Sequence, residues 1–135
     1  MKIELSPKQF RRLLDLAYIG NWILNSTRGD DRIVEYDEVE SLLFAESLKK
    51  GMKNLAEVSG GEVIPSRDFA EGGIHEAIMD YEDTVFFEIL AEELARRDMQ
   101  ECDCDPEDMD ELNERINAYI SEFEQHGTDN ISLDI

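Results

Sequence analysis

Apolar residues recur along this chain with two different periods, and those periods divide it into elements. From Ser6-Pro7 onward, Phe10, Leu13, Leu14, Ala17 and Leu24 fall on one helical face. Ser6 suits the N-cap, and Pro7 suits the first helical position, where its missing N–H would be unpaired in any case. Beyond Leu16 the apolar residues spread around the circumference as Tyr18, Ile19, Trp22 and Ile23 join them. A helix apolar on every side belongs at the centre of a fold. A first helix over about Pro7 to Ser26, packed on several sides, is therefore predicted.

Thr27 to Asp31 reads as a loop. A second helix is expected to begin near Asp31 or Tyr36, to turn Val39, Leu42, Leu43 and Leu48 inward, and to stop at Lys49-Lys50-Gly51. There two cations face the negative helix end, and a glycine is available for a left-handed cap. Met52 to Val58 reads as a short amphipathic turn. Ser59 to Gly73 reads as irregular, with Val63-Ile64-Pro65 as a short extended piece and Ser66 to Phe69 as a helical turn. Ile74 to about Tyr81 suggests a short helix. A longer one follows from Glu82 or Asp83, where Val85, Phe86, Phe87, Ile89, Leu90 and Leu94 cover more than one face and predict a second central helix. Asp105-Pro106 opens the last helix, whose Met109, Leu112, Ile116, Tyr119 and Phe123 form a single seam that Gly127 closes.

The termini carry the other period. Ile3 and Leu5 alternate with polar residues, as do Ile131, Leu133 and Ile135, the pattern of half-buried strands. The expected fold is mainly α: about five helices in a compact single-domain bundle over residues 1–135, with a two-stranded β ribbon formed by the N- and C-terminal segments. A chain of 135 residues has the usual size of one domain.

Charge changes this picture more than length does. The formal net charge is −20, and it is unevenly placed. Residues 1–30 carry +2, residues 31–60 carry −3, residues 61–100 carry −8 and residues 101–135 carry −11. The few cations near the start cannot neutralise the later segments, so an acidic face should remain exposed in any fold. Such a face repels nucleic acid and anionic membranes and favours a basic protein partner. No apolar run is long enough to span a bilayer, and no secretory signal opens the chain, so the cytoplasm is the expected location.

Candidate chemistry is sparse. Cys102 and Cys104 flank one residue, a spacing at which a relaxed disulfide is uncommon. The acidic segment around them lacks the glycine of a calcium loop, and neither histidine has zinc-ligand spacing to the cysteines. No catalytic residue, cofactor or metal is assigned. His75-Glu76 lacks the second histidine of a metalloprotease motif, with Met79 in its place, and His75 reads as a surface or loop residue. Asp80, Glu82, Asp83, Glu88 and Glu92 read as a solvated helix face. Asn21, inside an apolar helix, requires an internal hydrogen-bond partner.

Two functions follow. The leading expectation is a non-enzymatic protein-binding module of inhibitor, immunity or adaptor type. Glu107, Asp108, Asp110, Glu111 and Glu114 would present its acidic C-terminal face to a basic partner. The alternative is a small ligand-binding or enzymatic domain with a pocket near Tyr18, Asn21 and Trp22 under the Gly60–Gly73 loop.

Overall fold

The computed structural model describes residues 1–135 and is mainly helical. Four helices carry it, together with a single helical turn and one two-stranded antiparallel sheet. The backbone gathers into two compact units, residues 1–78 and 79–135, and one helix runs continuously through their boundary. No helix is long and apolar enough to cross a membrane.

In the first unit, helix α1 spans Pro7–Asn25. Its start is a full capping box: the Gln9 N–H donates to Ser6 Oγ (3.2 Å), and the Ser6 N–H donates to Gln9 Oε1 (2.9 Å). Helix α2 spans Val34–Lys49 and lies against α1. Strands β1 (Ala56–Ser59) and β2 (Glu62–Pro65) pair antiparallel, with Ser59 opposite Glu62 and Ala56 opposite Pro65. The turn between them is Gly60-Gly61, with φ of +59° and +82°. Two successive left-handed residues make the hairpin turn whose twist matches that of the flanking strands, and glycine adopts it without strain. The hairpin rests on α2.

Ser66 then caps the single turn α3 (Arg67–Phe69), accepting from the Phe69 N–H. A wide turn over Ala70–Ile74 contains Gly73 at φ +104° and leads into α4 (His75–Glu101). The core of this unit joins Phe10 and Leu14 of α1, Phe44 of α2, Ala56 of β1 and Phe69 of α3. Phe69 is the keystone, edge-on to Phe44 at 4.9 Å and to Tyr18 at 5.3 Å between ring centres.

The second unit is the greater part of α4, the turn after it and α5 (Met109–His126). Ala91 and Ala95 are fully buried, small residues that leave room beside the α4 backbone. Met99 and Leu112 close the core, with Ile116, Tyr119 and Cys104 packed on it, and Phe87 meets Phe123 at 5.4 Å. Tyr119 donates to Asp98, whose carboxyl this bond holds below the usual carboxylate range. Cys102 and Cys104 are joined as a disulfide. The spacing argued against a bridge, but Asp103 at φ +56° reverses the chain and brings the two Cα atoms to 5.3 Å, inside the ordinary disulfide range.

Several expectations are corrected. There are four long helices rather than about five, because nothing breaks the chain at Tyr81-Glu82. No glycine or proline stands there, and Thr84 Oγ1 donates to the Asp80 carbonyl within a continuous helix. The β ribbon is built by residues 56–65, and the terminal segments form no strand. A two-residue glycine turn closes a hairpin at far lower entropic cost than joining chain ends. Ile3 and Leu133 stay exposed.

The inward face of α2 is also shifted: Phe44 is fully buried, while Val39 and Leu42 are exposed. The all-round apolar helices are covered on fewer sides than expected, since Leu16 of α1 is 68% exposed and Phe86 of α4 is 51% exposed. Helix α5 starts at Asp108, which caps it, and not at Asp105-Pro106. Asp105 instead accepts from the Glu107 N–H in a preceding turn.

Candidate functional site

Two asparagines four residues apart on α1 organise a concavity of the first unit. Asn25 is fully buried, and its amide clamps the backbone of Ile33, accepting from the N–H (2.8 Å) and donating to the carbonyl (3.0 Å). This bidentate grip fixes the loop between α1 and α2, and hence the phase at which α2 begins. The same Asn25 amide donates to Asn21 Oδ1 (2.7 Å), and Asn21 in turn donates to Asp37 Oδ1 on α2 (2.9 Å). Asn21 thus has the internal partners that its position required. Asp37 is held from the other side by Arg32, whose Nε and Nη2 donate at 2.6 and 2.7 Å. That fork holds the Asp37 carboxyl below its ordinary range, with a smaller contribution from Asn21.

Above this network opens a cleft of about 510 Å³. Tyr18, Asn21 and Trp22 of α1, with Ser26 just past its end, form one wall, and Asp37, Glu40 and Ser41 of α2 the other. Arg32 of the α1–α2 loop, residues Glu62 to Pro65 of β2, and Ala70 complete it. Tyr18, Asn21 and Trp22 therefore share one cavity, and part of the Gly60–Gly73 segment borders it.

His75 stands behind the aromatic wall. Its Nε2 lies 2.6 Å from the Tyr18 hydroxyl, and its ring meets Trp22 edge-on at 4.6 Å. It is half-buried at the start of α4, not the surface or loop residue expected, because the left-handed Gly73 turns the chain back toward α1 just before it.

The electrostatics centre on Glu40. Burial lifts its carboxyl to about 6, the Asn21 amide partly opposes that rise, the Asp37 charge adds to it and the Arg32 charge works against it. The ion pairs of this unit do not include Glu40, since Arg32 is committed to Asp37. Burial, with a smaller contribution from Glu40, also raises the Tyr18 phenol. The cleft therefore presents two aromatic rings, a hydrogen-bonded amide, the Arg32–Asp37 pair and a half-buried carboxyl, Glu40, that forms no ion pair.

The five acidic residues nominated near the C-terminus lie together at the start of α5 and in the turn before it. Two have local duties: Asp108 caps the helix by accepting from the Glu111 N–H, and Glu111 pairs with Arg115 at 2.7 Å. Glu107, Asp110 and Glu114 are exposed. Pattern reading missed Glu40, Asp37 and Arg32. The available signal was spacing: Asn21 and Asn25 share a face of α1, and Asp37 and Glu40 share one of α2.

No protein-family model, curated protein or solved structure matches this chain.

Proposed function

We propose that this protein is a binding protein whose ligand site is the cleft of the first unit, and that the cleft receives an organic cation. The ligand class is an ammonium or guanidinium group on an apolar body. It could be free or be carried as a basic side chain of a partner. The observation that carries this reading is Glu40, a half-buried carboxyl between Asn21 and Asp37 with the nearest arginine already engaged. A cation seated there would ion-pair with Glu40, and the Trp22 and Tyr18 rings lining the cleft would add cation–π attraction. The apolar side chains of β2 would meet the ligand's body.

The protein has a single tryptophan, and it lines the cleft, so binding can be read directly. Titration with agmatine is expected to give a saturable change in Trp22 fluorescence. Glu40→Gln should weaken that binding by about tenfold, the loss of one partly desolvated charge pair. Affinity should also fall below pH 6, where Glu40 gains a proton. Absence of a saturable change, or equal affinity in the variant, would remove the proposal.

A second reading is favoured by charge placement. Residues 79–135 carry 19 acidic and 3 basic side chains, while residues 1–78 carry 14 and 10. Glu107, Asp110 and Glu114 would then dock a basic protein surface. Here binding of a lysine-rich peptide should weaken steeply with salt and be lost on replacing those three by glutamine and asparagine. Affinity that is indifferent to both changes would sink it.

A further inference from the structure

We propose that Cys102 and Cys104 form a thiol–disulfide exchange site, with a small non-anionic thiol as co-reactant. Four observations carry this. The bridge closes a loop of only three residues, and such a loop restricts the unfolded chain very little, so the bond has little stabilising duty. Asp103 between the cysteines is the chain's one non-glycine residue with positive φ, and opening the bridge releases that constraint.

The third observation is Arg115. From α5 its Nη2 reaches Cys102 Sγ at 3.6 Å and Cys104 Sγ at 3.9 Å, and Glu111 holds its Nε at 2.7 Å. A guanidinium beside both sulfurs gains most when one of them becomes a thiolate. Lastly, the two sulfurs differ. Cys102 is exposed, whereas Cys104 is half-buried on the Met99–Leu112 core, with its N–H bonded to the Met99 carbonyl.

This asymmetry sets the order of events. An incoming thiolate attacks Cys102 Sγ, forming a mixed disulfide and expelling Cys104 as a thiolate beside Arg115. A second thiolate attacks the outer sulfur of the mixed disulfide and frees Cys102. Two thiols are oxidised to one small disulfide, the protein bridge takes up the two electrons, and the two protons released by the thiols pass to the cysteines. The surrounding carboxylates Glu101, Asp103, Asp105, Glu107, Asp108 and Glu111 oppose thiolate formation and repel anionic thiols. Arg115 is therefore the positioning residue, and cationic thiols are the preferred co-reactants.

The test uses the full chain in cysteamine–cystamine mixtures, with alkylation and mass analysis to count free thiols. Reversible two-electron opening with the helical content retained is expected, faster with cysteamine than with glutathione at equal thiolate concentration. In the reduced protein, Arg115→Met should raise the lower thiol pKa, read from thiolate absorbance, by about one unit. It should slow bridge opening by about threefold or more. Arg115→Lys should restore both, which separates the charge from any loss of packing. Cys104→Ser should accumulate a mixed disulfide on Cys102 with added cystamine, while Cys102→Ser should accumulate less. A bridge that opens only on unfolding, a glutathione rate equal to that of cysteamine, or thiol pKa values indifferent to Arg115 would overturn the proposal.

Discussion

Replacing Glu40 by glutamine should make the first unit more stable at neutral pH, an unusual result for a substitution at a half-buried polar residue. Burial raises the folded-state carboxyl to about 6 against an ordinary value of 4.5. Between those two values the folded state binds more protons than the unfolded state, so stability contributed by this group falls as pH rises through that window and then levels off. The full shift corresponds to about 2 kcal/mol, and solvent screening of a half-exposed carboxylate reduces this to about 1 kcal/mol.

Glutamine keeps the shape and a hydrogen-bonding oxygen and carries no charge. The variant should match the wild type near pH 4 and exceed it by about 1 kcal/mol at pH 7. Urea denaturation followed by Trp22 fluorescence reads the first unit itself. With a slope of about 1 kcal/mol per molar for a unit of this size, the midpoint should move by about 1 M at pH 7. An identical difference between the two proteins at pH 4 and pH 7 would refute the assignment of a costly buried charge, whatever its size.

Other consequences follow from the same geometry. Asn25→Ala leaves the Ile33 backbone and the Asn21 amide without their buried partner, and should cost about 2–3 kcal/mol by denaturant unfolding. Gly61→Val places a β-branched residue at φ +82°; since an added Cβ meets nothing within 4 Å, the cost of about 1–2 kcal/mol is backbone strain alone. Arg32→Gln removes the fork on Asp37. The depressed Asp37 carboxyl adds stability above its ordinary titration range that is lost as pH falls toward its folded value, so this variant should lose up to about 1 kcal/mol at pH 7 and progressively less as the pH falls below the ordinary carboxylate range.

The helices were legible where caps and one-sided stripes agreed. Ser6-Pro7 marked the start of α1, and Leu112, Ile116, Tyr119 and Phe123 marked the packed face of α5. Elements failed where a residue's meaning depended on a distant partner. Gly60-Gly61 read as loop because the flanking segments are only four residues each and lack a clear alternation of apolar and polar positions, yet that pair of left-handed positions makes the hairpin. Phe44 was overlooked beside Leu42 and Leu43 because local periodicity does not say which side of α2 meets Phe69.

In the cleft, Tyr18, Asn21 and Trp22 stood out as polar-tipped residues within an apolar helix. Glu40 and Asp37 did not, since an acidic chain offers 33 such residues and nothing local separates a half-buried one from the rest. The Tyr18–His75 contact joins residues 57 apart, beyond any spacing argument.

The central claim is that the first unit's cleft seats a cation against Glu40 and Trp22. Chemical-shift mapping of the labelled full chain with agmatine tests it most directly. The Trp22 indole N–H and the Asn21 amide group are predicted to shift together along one saturating curve, with the Glu40 carboxyl carbon moving toward its ionised position at pH 6. Shifts confined to residues 107–114, or spread weakly over every acidic surface without saturation, would contradict it.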